Sequence, residues 1–394
     1  FARMTNNELD IVLTTPEFFS LHADQFAKAQ NISFVVFDEA HHVGMNASEG
    51  RLAYAQMPQV LKMLGSPQVL ATTATATTQS AQNICELLSI EAEHVYKDKT
   101  ARTNLELKDL RGAKDRECAL LSLVSDGTKT VVYVNSREQA QALTRMLRHR
   151  IPELGHKIAF YHAGLTPQIR KNVERAFRRG DVCCIIATSA FGEGVNISDI
   201  RQVILYHLPF GRVAFNQMSG RAGRDGKPSV IQMLFDAHDM RVNERILSSH
   251  APQREALVAV YRALTALQPK LGAQTAASGL TDEDIAQMAL EIDPRSKADE
   301  QTVRVALDVF AELGFISIEG FDQSRTISVN SQASHMDLLE SARYAEGLKA
   351  HAEFESFAQW VLSASPDELA DAITKPIVPE IGSTFDGGRE SSDE

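Results

Sequence analysis

The sequence predicts an α/β fold with parallel sheets over residues 1–250, followed by a smaller and mainly helical part. Short apolar runs rich in Val and Ile, typical of strands buried on both faces, alternate there with amphipathic helical stretches. Beyond residue 250 this alternation stops. At 394 residues with 44% hydrophobic residues, the chain is long enough for roughly two to four domains.

The first 100 residues contain three apolar runs of strand length, at Ile11–Leu13, Phe34–Phe37 and Val69–Ala71, and a helical pattern at Ser80–Leu88. Residues 101–112 lack a helical pattern, and we expect an extended hinge there. Five further strands are predicted in residues 113–250, at Thr130–Val134, Ile158–Tyr161, Cys183–Ala187, Val203–Tyr206 and Val230–Leu234. Since right-handed crossovers bring the loops after parallel strands to one edge, we expect a site at that edge.

The region 251–330 has a different pattern. Helices are predicted near Gln253–Leu267, Asp282–Glu291 and Asp299–Leu313, and two β-like runs follow at Phe315–Ile318 and Thr326–Val329. Three helices closing on a small hairpin favour a winged helix, which could bind duplex DNA or another protein. Residues 331–380 predict a helical region, and residues 381–394 an acidic, disordered tail.

Two carboxylates follow the apolar run Val35-Val36-Phe37. Asp38 and Glu39 are expected at the carboxyl edge of a sheet, where one carboxylate can hold Mg²⁺ and the other can orient or deprotonate water. Asp-Glu pairs at strand ends also cap helices, so the pair alone is weak evidence for a site. The full string Asp38-Glu39-Ala40-His41 after an apolar run is stronger evidence.

A second chemical pattern is Gln217-Met218-Ser219-Gly220-Arg221-Ala222-Gly223-Arg224. It places two arginines three residues apart behind a glutamine, on what we expect to be a glycine-broken turn that opens a helix. Planar guanidinium groups suit the charge that spreads over a γ-phosphoryl group during its transfer. The alternative is a surface turn paired with carboxylates.

With these motifs in view, the chain resembles the superfamily 2 DEAH-box DNA helicases of the RecQ-like group. The ordered matches are Thr14 to Glu17 (motif Ib), Asp38 to His41 (motif II), Ala71 to Ala76 (motif III), Val132 to Arg137 (motif IV), Tyr161 to Leu165, Ala187 to Asn196 (motif V) and Gln217 to Gly226 (motif VI). The resemblance implies a partial first RecA-like domain at 1–100 and a complete second one at 113–250.

The same resemblance implies site residues of three kinds. The catalytic residues would be Asp38, Glu39, Gln217, Arg221 and Arg224. Binding of ATP and Mg²⁺ would use Asp38 for the metal and, for the nucleotide, Asp38, Glu39, His41, Gly192, Gly194, Arg221 and Arg224. Contact with nucleic acid, or coupling to it, would use Thr15, Pro16, Glu17, Thr73, Thr75, Asn135, Ser136, Arg137, His162 and Thr188.

One expected motif is missing from the sequence. A phosphate loop reads GxxxxGK followed by Ser or Thr, but the only Gly-Lys pair is Gly226-Lys227, and Pro228 follows it. The chain also begins with Phe1. We therefore expect the C-terminal part of a longer cytoplasmic helicase, inactive alone. The four cysteines, Cys85, Cys118, Cys183 and Cys184, form no CxxC pair and predict neither a disulfide framework nor a zinc site.

Charge is divided along the chain. Residues 129–245 hold 18 Lys and Arg against 10 Asp and Glu, whereas residues 280–394 hold 8 against 24. Because neutralisation of phosphates dominates nucleic-acid affinity, DNA contacts are expected in the basic part. The acidic part is expected to face solvent or a protein.

The sequence therefore predicts an ATP-dependent helicase acting on single-stranded DNA or on junctions with duplex, in repair or recombination. The alternative is a non-catalytic nucleic-acid-binding or scaffold subunit with a vestigial motor. The stretch from Ser341 to Trp360 also resembles helicase portions fused to RecJ-type exonucleases in some bacteria. A fused or associated exonuclease module is thus a further expected partner, and no membrane association is expected.

Overall fold

The computed structural model describes residues 1–43, 54, 56–192, 195–248, 252–267, 277–278, 280–320, 325–330 and 337–384. The chain divides into two compact units. One contains residues 1–45, 53–243 and 354–394, and the other contains residues 46–52 and 244–353. Over the described residues, no helix combines the length and the apolar character needed to cross a bilayer.

The N-terminal part of the first unit is built on a two-stranded parallel sheet in which Val35 lies opposite Val69. One side of this sheet packs against a core that includes Phe19, Phe26 and Met57. Its elements are α1 Ala2–Thr5, α2 Pro16–Leu21, α3 Ala23–Ala27, β1 Phe34–Phe37, α4 Met57–Met63, β2 Gln68–Ala71, α5 Thr78–Leu88 and β3 Tyr96–Lys97.

The predicted strand at Ile11–Leu13 is wrong. These residues lie outside any strand, and the side chains of Ile11 and Leu13 are 80% and 94% exposed. An apolar run becomes a strand only when a neighbour accepts and donates its backbone hydrogen bonds. The strand order β1-β2 places no such neighbour beside residues 11–13 in the described part of the chain.

The second sheet has six parallel strands in the order β4-β9-β8-β5-β7-β6, whose central strands are fully buried. The five predicted strands are confirmed to within one residue at each end. The elements are β4 Leu105–Asp109, α6 Arg116–Val124, β5 Thr130–Tyr133, α7 Arg137–Arg150, β6 Ile158–Tyr161, α8 Pro167–Arg179, β7 Cys184–Ala187, β8 Gln202–Leu205, α9 Arg212–Ser219, β9 Ser229–Met233 and α10 His238–Ser248.

The predicted hinge at 101–112 is partly wrong, because residues 105–109 form β4, the edge strand beside β9. Alternating burial along Leu105-Glu106-Leu107-Lys108-Asp109 matches an edge strand with one face on the core. That period of two was visible in the sequence. The connection between the two sheets is therefore shorter than expected.

The described part of the second unit contains three complete α-helices and a three-stranded antiparallel sheet of order β10-β12-β11. Val303, Ala306 and Phe310 lie at its core. The predicted helices and hairpin are confirmed, and β10 is additional. The elements are α11 Arg254–Leu267, β10 Ala277–Ser278, α12 Asp282–Ile292, α13 Glu300–Glu312, β11 Ile316–Glu319 and β12 Thr326–Val329. Helix α14, Ala342–Ser363, begins in this unit and ends in the first.

The C-terminal residues 354–384, here called the C-terminal strap, belong to the first unit. The strap contains the end of α14, α15 Pro366–Thr374 and β13 Ser383–Thr384. Phe357 and Trp360 pack on Phe215 of α9, and the guanidinium of Arg212 lies 3.9 Å from the centre of the Trp360 ring. The helical region is thus not separate from the second sheet.

The far end of the strap reaches the first sheet domain. The Lys97 ammonium donates to the carbonyl oxygens of Pro379, Glu380 and Ile381 at 3.0, 3.3 and 3.1 Å. Strand β13 then pairs in parallel with β3. The expectation of a disordered tail from residue 381 is therefore wrong for residues 381–384, and residues 385–394 lie outside the described residues.

Candidate nucleotide and nucleic-acid site

The carboxylates Asp38 and Glu39 lie at the carboxyl end of β1, as the sequence predicts. Parallel pairing brings the end of β2 beside them, and the Thr72 hydroxyl donates to Asp38 Oδ1 at 3.1 Å. The ring nitrogen His41 Nδ1 lies 3.1 Å from Thr73 Oγ1 and 3.3 Å from Glu39 Oε2. Motifs II and III are thus joined by side-chain hydrogen bonds.

Glu39 adopts a left-handed backbone conformation, with φ 53° and ψ 45°. This region is uncommon for a residue with a side chain, and such backbone strain clusters at functional sites. The Ala40 N–H donates to the Thr72 carbonyl at 2.8 Å, which holds the turn in place. The result is that both carboxylates are exposed above the sheet edge.

The donor set at this turn fits a hard divalent cation. Mg²⁺ prefers carboxylate oxygens and keeps several waters, so one or two exposed carboxylates are sufficient protein ligands. Asp38 Oδ1 is already fixed by the Glu39 N–H at 3.0 Å and by Thr72. Asp38 is therefore oriented to offer an oxygen to a metal. The ring of His41 contacts Thr73 and so links this turn to motif III.

The two arginines lie in a turn that follows helix α9, which corrects the expectation that the segment opens a helix. We call residues Gly220–Gly226 the arginine loop. Gln217 lies half-buried on α9, ahead of the loop. A short helix ended by Gly220 leaves free carbonyls at its C-terminus, so the loop must be held by other donors.

Arg221 packs over motif V. Its Nη1 donates to the Val195 carbonyl at 2.9 Å, and a Cβ added at Gly192 would lie 3.6 Å from Arg221 Nη2. Arg221 Nε is buried without a hydrogen-bond partner among the described residues. The tightest contact of an added Cβ at Gly192 would be with the Ser189 carbonyl, at 3.0 Å. Nucleotide binding by Gly192 stays a prediction, and the predicted Gly194 lies outside the described residues.

Arg224 is exposed and lies among other charges. Desolvation and then the positive charges of Arg221 and Arg102 lower the pKa of Arg224, while the Glu39 carboxylate acts in the opposite direction. That the motif II carboxylate and the motif VI arginine share one nucleotide site stays a prediction.

The predicted nucleic-acid residues of the second sheet divide into two groups. His162 and Arg137 meet around Gly164, where an added Cβ would lie 3.0 Å from Arg137 Nη1 and 3.3 Å from His162 Nδ1. Burial, and then the Arg137 charge, lower the pKa of His162. Thr188 follows the neighbouring strand, and its N–H donates to the Tyr161 carbonyl at 3.1 Å.

The second group has local structural contacts. Asn135 Nδ2 donates to the Leu208 carbonyl at 2.8 Å and to Asn243 Oδ1 at 2.5 Å, so its amide donors are used within the domain. The Ser136 hydroxyl caps α7 by accepting from Gln139 N.

The Thr15-Pro16-Glu17 segment likewise has a local role, because the Thr15 hydroxyl caps α2, which begins at Pro16. Thr75 is buried, with its hydroxyl unpartnered among the described residues. For Asn135, Ser136 and Thr15, contact with nucleic acid stays a prediction beside an observed structural role.

Comparison with known proteins identifies two helicase domains in the chain. A family model described as "DEAD/DEAH box helicase" matches residues 1–84, and one described as "helicase conserved C-terminal domain" matches residues 114–226. The probable ATP-dependent DNA helicase RecS of Bacillus subtilis is 35% identical over 243 residues, which cover 60% of this chain and 48% of that protein. The ATP-dependent DNA helicase RecQ of Pasteurella multocida is 32% identical over 228 residues, 57% of this chain and 35% of that protein. The chain therefore contains a DEAD/DEAH box helicase domain and a helicase C-terminal domain, and it is similar to RecQ-like DNA helicases.

The match spans less than half the length of these relatives. Among solved structures, the DUF1998 helicase MrfA bound to DNA and AMPPNP aligns with 86% of this chain and 49% of its own, at 18% identity and a TM-score of 0.49. The fold is therefore assigned from the order of the parallel strands in the two sheets and not from this structural match.

Sequence reasoning missed two residues that hold the arginine loop, Arg102 and Asn104, because it assigned them to the hinge. The Arg102 guanidinium donates to three carbonyls of the arginine loop, and Asn104 Nδ2 donates to those of Gly223 and Lys227 at 2.8 and 2.9 Å. A sequence signal existed only as an Arg and an Asn just ahead of the alternating run of β4.

Gly223 is the tightest point of the loop and yields a prediction. Its φ is +55°, and an added Cβ would lie 2.5 Å from Asn104 Nδ2, 2.5 Å from Ser229 Oγ and 2.8 Å from the Lys227 carbonyl. We expect Gly223→Ala to lower the free energy of unfolding by about 1–3 kcal/mol through overpacking. Urea unfolding measures this loss.

The matched control is Gly226→Ala, because Gly226 has φ +78° in the same loop but no atom within 4 Å of an added Cβ. It carries the strain of positive φ without the close contacts. Equal unfolding midpoints for the two variants would show that the contacts at Gly223 contribute nothing.

Proposed function

We propose that the protein is an ATP-dependent DNA helicase that couples ATP hydrolysis to translocation on DNA and to its unwinding, in repair or recombination. The observation that carries this proposal is the turn after β1, which exposes the carboxylates of Asp38 and Glu39 at the sheet edge and is joined to motif III through Thr72. A metal-binding carboxylate beside a second carboxylate that can act as a base supplies the chemistry that hydrolysis of ATP requires. The names of the relatives give further support.

Each residue has a proposed role in hydrolysis. Asp38 holds Mg²⁺, which would neutralise the phosphate charge. Glu39 accepts a proton from the attacking water, and Arg221 and Arg224 bind the phosphate oxygens on which charge develops. ATP and Mg²⁺ are therefore the proposed cofactors.

Coupling to DNA is proposed to run through motif III. His41 contacts Thr73, and Thr73 Oγ1 also donates to the Thr75 carbonyl at 3.1 Å. A change at the Asp38–His41 turn therefore alters the loop after β2. Gln217, on α9 of the second sheet domain, would couple the state of the nucleotide to the DNA-facing loops of that domain. On the second sheet, Arg137, His162 and Thr188 form the proposed contact to the DNA strand.

The rival function is a nucleic-acid-binding scaffold with a vestigial motor. It is favoured by the 394 residues themselves, which contain no GxxxxGK[ST] loop. A measurement on the product of the complete gene distinguishes the two functions, because DNA-stimulated ATP hydrolysis supports the motor and its absence supports the scaffold. Copurification with a RecJ-type exonuclease would test the predicted partner.

For the 394-residue chain alone, we expect no ATP hydrolysis above background, because its sequence contains no GxxxxGK[ST] loop, whose backbone N–H groups and lysine hold the β- and γ-phosphates. We still expect weak binding of single-stranded DNA through the basic second sheet domain. Fluorescence anisotropy at several salt concentrations measures it. The logarithm of the binding constant should fall with a slope of about 0.7 per phosphate contact against the logarithm of salt.

Two outcomes would contradict this prediction. DNA-stimulated ATP hydrolysis by this chain would mean that its phosphates are held by residues other than a GxxxxGK loop. Binding that does not change with salt would mean that the basic residues of 129–245 face away from DNA.

A further inference from the structure

Arg102 and Asn104 form a clamp on the backbone of the arginine loop. Arg102 Nη1 donates to the Gly220 carbonyl at 3.0 Å, and Nη2 donates to those of Ala222 and Gly223, each at 2.6 Å. These carbonyls lie on both sides of Arg221 and immediately before Arg224. The clamp therefore holds the peptide groups from which both arginine side chains project.

The chemistry of the clamp is specific to a guanidinium. Two nitrogens of one planar group contact different parts of the loop, Nη1 at Gly220 and Nη2 at Ala222 and Gly223, and the single nitrogen of a lysine ammonium lacks this fixed fork. Asn104 adds a second donor to the Gly223 carbonyl, so two side chains converge on this peptide. Apart from a 3.5 Å contact of Arg102 Nη2 with Asn104 Oδ1, their hydrogen-bond acceptors among the described residues are backbone oxygens of the arginine loop and of Lys227, not carboxylates.

The clamp also adds the positive charge of Arg102 to those of the two loop arginines. Arg102 Nη1 and Arg224 Nε both donate to the Gly220 carbonyl, at 3.0 and 3.4 Å, and the pKa of Arg224 is lowered by desolvation and then by the charges of Arg221 and Arg102. Like charges at this spacing repel one another and favour a bound anion. A triphosphate supplies such an anion.

We propose that Arg102, assisted by Asn104, is a positioning residue that holds Arg221 and Arg224 toward the phosphates of bound ATP. This inference rests on the proposed function, and it deepens that function by assigning the linker between the two sheets a part in the nucleotide site. Arg102 acts through the loop backbone and does not contact the nucleotide.

The first test needs no activity. In the 394-residue chain, Arg102→Lys should raise the hydrogen-exchange rates of arginine-loop amides by about 10-fold or more, because the loop opens locally. The amides to follow are Gly223 N, which donates to the Ile200 carbonyl at 2.8 Å, and Asp225 N, which donates to that of Ser198 at 3.2 Å. Exchange in the strands β5 and β7 should not change.

The matched control is Arg111→Lys. The Arg111 guanidinium also donates to two backbone carbonyls, those of Val361 and Ala364 at 2.5 and 2.9 Å, but it does not touch the arginine loop. It should leave loop exchange unchanged. Equal exchange in Arg102→Lys and Arg111→Lys would overturn the clamp, whether or not the protein hydrolyses ATP.

The second test uses DNA-stimulated ATP hydrolysis by the complete gene product. Arg102→Lys should lower kcat by about 10-fold with little change in KM, the signature of an interaction made in the transition state. An unchanged kcat together with faster loop exchange would overturn the positioning role. If the parent protein hydrolyses no ATP, the proposed function fails, and the hydrogen-exchange comparison alone decides the clamp: faster loop exchange in Arg102→Lys than in Arg111→Lys supports it, and equal exchange overturns it.

Discussion

Glu39→Gln in the complete gene product is expected to lower DNA-stimulated ATP turnover by about 100-fold or more, the usual contribution of a general base. The amide keeps the size of the side chain but cannot accept a proton from water. Because Asp38 is oriented separately by Thr72, binding of Mg²⁺ and ATP should be retained. Steady-state ATP hydrolysis and binding of a fluorescent ATP analogue measure the two effects.

The matched control is Glu86→Gln, which neutralises an exposed carboxylate on α5 of the same domain. It should leave turnover unchanged. Near-normal hydrolysis by Glu39→Gln would remove Glu39 from its role as a base. Loss of nucleotide affinity in that variant would instead assign the residue to metal binding.

Replacing Arg224 should have an effect at least as large. An arginine finger contributes roughly 10³ to 10⁵ in rate, so Arg224→Ala should lower kcat by about 1000-fold. Arg224→Lys keeps the charge but loses the planar fork, and we expect most of the same loss. Nucleotide affinity should change much less than kcat, because the phosphoryl charge develops in the transition state.

Thermal unfolding of the same variants separates function from structure. Arg224 Nε donates only a long bond, 3.4 Å, to the Gly220 carbonyl, so its loss should not destabilise the fold. Arg241→Lys on the exposed face of α10 is the control for a lost guanidinium. A fall in melting temperature parallel to the fall in kcat would show that Arg224 is structural.

The strands and the motifs at their ends were predictable from local patterns. Val-rich runs buried on both faces give strong strand signals, and an Asp-Glu pair after such a run predicts a site at the sheet edge. The left-handed Glu39 and the hydrogen bond between His41 and Thr73 were not predictable. They depend on the register of β1 against β2, which brings together residues about 30 positions apart.

Contacts between residues far apart in the sequence were harder to predict than the strands. The clamp at Arg102 joins residues 118 to 121 positions apart, and the contacts of Lys97 with the strap span 282 to 284 positions. Neither has a periodic pattern, because single polar contacts to backbone carbonyls impose no repeat on the sequence. The wrong strand prediction at Ile11–Leu13 has a different cause. Its apolar composition is typical of a strand, but no neighbouring strand pairs with it in the described part of the chain.

The C-terminal strap gives the two parallel-sheet domains a second connection, in addition to the linker before β4. The linker and the strap therefore connect the two domains at two places. The hydrogen bonds of β13 with β3 hold the strap on the first of these domains. Between α15 and the residues held by Lys97 lie only Lys375–Val378, in which the ring of Pro376 fixes one backbone angle. Since an extended residue spans at most about 3.6 Å, this short segment sets a maximum distance between its two anchor points. Rotation about the line that joins the linker and the strap remains open to the domains, whereas their full separation requires β13 to detach from β3.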